Sequence, residues 1–287
     1  MARSEPFSRL AILDGAWGTE LQKLGLQPGE SCERLNLEAP EKVRQVAESY
    51  VAAGSDIILT NSFQGNPIVL ARHGLADQTE VINRRAVEIS RQAAGDRAKV
   101  FASIGPSGKI LLMGEVPAEQ LRAAFARQVS GLVAGRPDGI VLETFTDLEE
   151  LRLVAATVRE VTDVYLVGCL SFDSGPDRTR TIMGVSVEQA AAAAEEIGLD
   201  AVGANCGLGI EAYHAVARCY LARTRLPVWI KANAGLPERK TQGASFRQSP
   251  EEFARHARGL AEMGVRFLGG CCGTTPAHIR ELVKLRT

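Results

Sequence analysis

The sequence predicts an α/β fold, a (β/α)8 barrel of the TIM type, as one domain over residues 1–287. Three observations predict it. Short runs rich in Ile, Val and Leu alternate strictly with longer amphipathic stretches, and such alternation implies a parallel sheet with helices outside it. About eight such pairs in roughly 250 residues match the size of a closed barrel. Residues capable of chemistry gather just after the strand runs, at the end of a barrel where active sites lie.

The strand runs, in order, are Arg9–Leu13, Ser55–Leu59, Lys99–Ser103, Gly139–Leu142, Val164–Cys169, Ala201–Ala204, Val228–Lys231 and Val265–Gly269. Apolar runs of this length, bounded by turn formers, read as strands buried on both faces. The helical patterns between and after them are Pro40–Ala53, Glu80–Ala94, Pro117–Ala134, Asp147–Glu160, Val187–Ile197, Glu211–Arg223, Pro250–Glu262 and Ala277–Lys284. Ser249-Pro250-Glu251-Glu252 and Thr275-Pro276 carry helix-start chemistry, a hydroxyl cap followed by proline. Gly54, Gly198 and Gly264 follow helical stretches, where a left-handed cap favours glycine. The rival fold is a doubly wound open sheet. Asp14-Gly15-Ala16-Trp17-Gly18 matches the phosphate fingerprint of that fold only loosely and has no good acidic partner downstream.

Composition narrows the function classes. The formal net charge is −1 and neither sign forms a long run, which argues against a nucleic-acid or membrane-surface footprint. No apolar stretch approaches the roughly 18 residues of a membrane span. The start, Met-Ala-Arg-Ser-Glu-Pro, lacks the apolar core of a secretory signal, so the expected location is cytoplasmic. Six cysteines in such a chain read as reduced thiols rather than disulfides.

Each strand run ends in residues with chemical capacity. They are Asp14-Gly15, Thr60-Asn61-Ser62, Ser103-Ile104-Gly105, Glu143-Thr144, Cys169-Leu170-Ser171, Asn205-Cys206-Gly207, Lys231-Ala232-Asn233 and Gly270-Cys271-Cys272-Gly273. Cys206 follows the sixth strand, and Cys271 and Cys272 follow the eighth. Three thiolates meeting at the barrel mouth would give a zinc site with one open position and net charge −1. Such a zinc is a poor activator of water but suits a substrate thiol, whose pKa it lowers. The other reading of these residues, taken alone, is buried free cysteine packing as a small hydrophobe. That reading serves for Cys169 and Cys219, and Cys32 receives no role. No fourth ligand follows any strand, and His73, His214, His256 and His278 fall in helices or their flanks.

The segment Gly269-Gly270-Cys271-Cys272-Gly273-Thr274-Thr275-Pro276-Ala277-His278-Ile279 resembles the signature of the homocysteine S-methyltransferases. Leu13–Leu21, Leu59–Phe63, Glu143-Thr144-Phe145, Gly203–Gly207 and Lys231–Pro237 extend the resemblance over nearly the whole chain. The family includes the homocysteine-binding barrel of cobalamin-dependent methionine synthase and betaine–homocysteine methyltransferase. The resemblance implies Zn2+ on Cys206, Cys271 and Cys272, with the thiol of homocysteine in the fourth position and methionine as product. It implies that Asp14 and Glu143 hold the amino group and that backbone amides near Gly15 and Ala16 face the carboxylate. Asn61 and Asn233 complete the expected substrate contacts.

Two departures lie near the expected pocket. Trp17 stands where a smaller residue is usual, and Ser62-Phe63-Gln64-Gly65-Asn66 replaces the usual Thr-Phe-Gly-Ala-Asn. The methyl donor is open. Methylcobalamin, if it is the donor, is expected on a separate corrinoid protein, since this sequence holds one barrel. Two alternatives stand beside the homocysteine reading: a component of a corrinoid-dependent demethylation system using another acceptor, and a non-enzymatic zinc or thiol-binding protein. Self-association is open as well.

Overall fold

A computed structural model describes residues 7–236, 238–239 and 244–286. The opening Met-Ala-Arg-Ser-Glu-Pro, and Pro237 of the Lys231–Pro237 segment, lie outside the described residues. Eight strands pair in parallel: β1 (Ala11–Ile12), β2 (Ile57–Leu59), β3 (Lys99–Ile104), β4 (Gly139–Phe145), β5 (Tyr165–Leu170), β6 (Ala201–Gly209), β7 (Val228–Asn233) and β8 (Phe267–Gly270). Their order is β1-β8-β7-β6-β5-β4-β3-β2, a nearly closed barrel. At the seam between β1 and β2, carboxylates join the strands. Ile12 N–H donates to the Asp56 carboxylate at 2.8 Å, and Leu59 N–H donates to the Asp14 carboxylate at 2.7 Å.

The main helices are α1 (Pro40–Ala53), α2 (Thr79–Ala94), α3 (Ala118–Ala134), α4 (Leu148–Val161), α5 (Val187–Ile197), α6 (Tyr213–Arg223), α7 (Pro250–Glu262) and α8 (Pro276–Val283). Ser249 caps α7 by accepting from Glu252 N–H. Gly54, Gly198 and Gly264 take φ of 98°, 75° and 104°, the left-handed region that a Cβ disfavours. Among the described residues no helix is long and apolar enough to cross a membrane.

Side chains alternate along each strand between barrel interior and helix layer. Ala11, Leu13, Ile57, Leu59, Phe101, Val141, Tyr165, Val167, Trp229 and Phe267 pack together inside the barrel. Ile12, Ile58, Val100, Ile140, Leu166, Val202, Ile230 and Leu268, one position along, pack with the helices instead. Trp229 forms the centre of the interior layer, with ring centroids 5.9 Å from Phe101 and 5.2 Å from Phe267. Two residues further along the same inward faces come Ser103, Glu143 and Lys231. The apolar plug therefore gives way to polar side chains within one step of the strand repeat.

Most strands end within two residues of the sequence expectation, but two run three or more residues past it, and both extensions bear on the site. β6 runs on to Gly209 rather than stopping at Ala204, and β4 runs on to Phe145 rather than Leu142. Each extension contains a register shift, between Cys206 and Gly209 and between Leu142 and Phe145. Irregularities of this kind re-aim a side chain and concentrate beside active sites.

Candidate metal centre

The two strand irregularities set the backbone of the site. Cys206 has φ 62° and Thr144 has φ 66°, both in the left-handed region that a β-substituent disfavours. Neighbouring groups hold them there. Asn205 accepts from Thr144 N–H at 2.7 Å and donates to the Thr144 hydroxyl at 2.6 Å. The Tyr213 hydroxyl, from α6, donates to Cys206 C=O at 2.6 Å.

The turn after β8 brings the other two sulfurs in. Cys271 N–H donates to Ala232 C=O at 2.7 Å, extending the β7 pairing. Cys272 N–H donates to Asn233 Oδ1 at 3.0 Å, and Asn233 Nδ2 donates to Gly207 C=O at 3.0 Å. Asn233 thus ties the Cys272 backbone to the residue next to Cys206. Gly270 is required by close approach, because a Cβ there would lie 2.2 Å from Thr274 Oγ1. That hydroxyl donates to Cys271 C=O at 2.7 Å and accepts from Ala16 N–H at 3.2 Å.

The Sγ atoms of Cys206, Cys271 and Cys272 all lie within 4.8 Å of one another. Among the described residues no fourth His, Cys, Asp or Glu joins the group. Three thiols this close share protons unevenly. Hydrogen bonds from Cys271 and Cys272 lower Cys206 to about 3, while Cys271 is raised to about 12, first by its bond to Cys206. Cys272 is raised too, by its hydrogen bonds to Cys206 and Cys271. Cysteines that bind a metal do so as thiolates, so a cation held here would draw the remaining protons off the cluster.

The sulfurs face a cavity of about 360 Å³, within the roughly 300–1,000 Å³ usual for small-molecule sites. Gly15, Ala16, Asn61 and Glu143 line it with the three cysteines. Trp17, Cys32, Glu33, Phe63, Gln64, Ser103, Thr144 and Lys231 are also in its wall. Glu143 is raised to about 7, chiefly by burial; Lys231 opposes the rise, Cys271 adds to it, and the hydrogen bond from Ser103 opposes it again. The Ser103 hydroxyl donates to Glu143 Oε1 at 2.5 Å.

Asp14 and Asn233 stand behind this wall rather than in it. Asp14 is fully buried. Its Oδ1 accepts from the Lys231 ammonium, and its Oδ2 accepts from Leu59 N–H and the Trp17 indole N–H, each at 2.7 Å. Trp17, a departure from the usual pattern, thus holds a carboxylate through its indole nitrogen. Gln64, the other departure, sits in the wall, and its N–H donates to Glu33 Oε1 at 2.8 Å.

Sequence reasoning missed Lys231 as a site residue. The signal was present: it lies two positions after Trp229 on the inward face of β7, and a charge there must find a partner inside the barrel. It is 2 % exposed, and although burial opposes its charge, Asp14 and Glu143 hold its pKa above the ordinary lysine value. Cys32, given no role, stands in the cavity wall, with its thiol pushed up to about 12 by burial.

Residues 11–285 match the sequence family described as Homocysteine S-methyltransferase. The chain is 32% identical over 289 residues to methionine synthase of Mycobacterium leprae (strain TN), covering 96% of this chain and 24% of the relative. Methionine synthase of Mycobacterium tuberculosis (strain ATCC 25618 / H37Rv) matches with the same identity and coverage. The chain therefore spans about a quarter of the length of these curated relatives. Among solved structures, the homocysteine methyltransferase MmuM from Escherichia coli superposes with TM-score 0.81 in its oxidized form, at 24% identity, covering 96% of this chain and 95% of that one. Its metallated form gives TM-score 0.80 at 25% identity and 96% of each chain. With the family match running from β1 to beyond α8, the chain belongs to the homocysteine S-methyltransferase family.

Proposed function

We propose that this protein transfers a methyl group to the sulfur of homocysteine, giving methionine, with Zn2+ held by Cys206, Cys271 and Cys272. The carrying observation is the convergence of three sulfurs from β6 and the β8 turn on one cavity wall. Their spacing fits the ion. Tetrahedral zinc with Zn–S near 2.3 Å needs sulfurs about 3.8 Å apart, and Cys206 and Cys272 lie 3.9 Å apart. Three protein ligands leave a fourth position for a substrate, which supports an enzyme over a closed storage site. Bound there, Zn2+ supplies a thiolate nucleophile at neutral pH by lowering the pKa of the substrate thiol.

The chain's own residues do the positioning. Glu143, steadied by Ser103, takes the substrate ammonium, while Asp14 acts on the site through Lys231. The backbone at Gly15 and Ala16 faces the carboxylate, and Asn61 closes that side of the cavity. Asn233 and Tyr213 keep the sulfurs aimed. In the transfer, a sulfur lone pair forms the new S–CH3 bond as the donor–methyl bond breaks, its electron pair leaving with the donor. The thiol proton departs before transfer, so no general base acts in that step, and holding the two reactants in line supplies much of the rate.

The test is a donor screen. Zinc-loaded protein is incubated with homocysteine and, separately, betaine, S-methylmethionine or methylcobalamin carrying an isotopic methyl label. Labelled methionine is expected with one of the three and is abolished in Cys271→Ala. Undiminished turnover in Cys271→Ala would overturn the zinc role. No product with any donor or with a corrinoid carrier protein would overturn the methyl-transfer reading.

A further inference from the structure

The acceptor end of the cavity already contains a cation. Lys231 reaches from β7 to Asp14 beyond β1 and is almost completely enclosed. Its partner Asp14 has no oxygen turned to the cavity: one holds the ammonium and the other holds Leu59 N–H and the Trp17 indole. The remaining carboxylate near the sulfurs, Glu143, faces the same ammonium and already accepts from Ser103. The cavity wall thus presents Lys231 together with Glu143, and not Asp14. The formal charge of the trio is −1 when Glu143 is ionised, rather than the −2 of two free carboxylates.

We propose that Lys231 is a built-in ammonium that satisfies Asp14 and shares Glu143, so that the acceptor thiol need not bring an ammonium of its own. The acceptor class is then thiols that carry a carboxylate, the desamino analogue 4-mercaptobutanoate included beside homocysteine. This deepens the methyl-transfer reading and rests on the cavity being the acceptor site.

A site whose buried carboxylates wait for a substrate ammonium rejects an analogue lacking it by roughly 10⁴-fold or more, because the carboxylates are left without a partner. Here Lys231 is that partner before any substrate arrives, so little is left unpaired when the amino group is missing. Removing the lysine charge leaves Glu143, the carboxylate in the cavity wall, for the substrate ammonium and should restore the discrimination.

The experiment compares homocysteine with 4-mercaptobutanoate on the zinc-loaded protein, by calorimetric Kd and by methyl-transfer kcat/KM. The wild type is expected to bind the two within about tenfold of each other. Lys231→Met is expected to favour homocysteine by about 100-fold or more. If Lys231→Met does not fold, because Asp14 is left buried and unpaired, the double variant Asp14→Asn/Lys231→Met carries the test. It leaves Glu143 alone for the substrate and should show the same rise. A wild-type preference for homocysteine above about 1,000-fold, a ratio unchanged in both variants, or binding of neither thiol overturns the proposal. Calorimetric ratios as expected without methyl transfer to either thiol would count against the methyl-transfer reading and leave this one standing.

Discussion

The Sγ atoms of Cys206 and Cys272 lie 3.9 Å apart although 66 positions separate them in the chain. Their backbones are joined by a single side chain, Asn233, which bonds the Cys272 N–H and the Gly207 C=O. The sulfur geometry depends on that amide as much as on the cysteines.

Asn233→Ala should therefore weaken metal binding while leaving all three ligands present. Groups that orient metal ligands are typically worth about 10- to 100-fold in affinity. Competition against a chromogenic zinc chelator measures this. An affinity within about twofold of wild type would show that the β8 turn holds its shape without Asn233.

Trp17→Phe keeps the ring and removes the indole N–H that Asp14 accepts. A hydrogen bond to a charged group is worth about 1.5–3 kcal/mol, and Asp14 is fully buried. Denaturant melts should show a loss of that size. A loss below about 0.5 kcal/mol would mean that the Lys231 ammonium and Leu59 N–H suffice.

Glu143 should make the metal-free protein less stable as pH rises. Its folded pKa is raised from 4.5 to about 7, chiefly by burial. A group raised on folding contributes stability below its unfolded pKa and loses it as pH climbs through the folded value. Glu143→Gln does not titrate, so between pH 4.5 and about 8 stability should shift in the variant's favour by up to about 3 kcal/mol. Urea melts of metal-free wild type and variant at several pH values measure it, and parallel curves would contradict it.

Much of this architecture is legible in the sequence because it rests on local patterns. The helix expected at Pro40–Ala53 forms over those residues, and the Val187–Ile197 and Pro250–Glu262 helices do likewise. Period-two alternation places Trp229 inside the barrel and Ile230 outside it. The cysteines announce themselves by position after strand runs. The partner of Asp14 does not, since Lys231 is 217 positions away and only barrel closure brings it near. The left-handed backbone at Cys206 and Thr144 was equally hidden. Nothing in Asn-Cys-Gly or Glu-Thr-Phe specifies a bulge; the paired strand and the Asn205 side chain impose it. Asn233, expected against substrate, instead spans two backbones, a role that depends on register between β6, β7 and the β8 turn.

The central claim is that the three cysteines hold a zinc ion with one position open to a substrate thiol. X-ray absorption at the zinc edge, before and after adding homocysteine, tests it most directly. The account predicts three sulfur neighbours and one lighter atom before addition, and four sulfurs near 2.3 Å after it. Four sulfurs before any thiol is added, or an unchanged spectrum at saturating homocysteine, would contradict it.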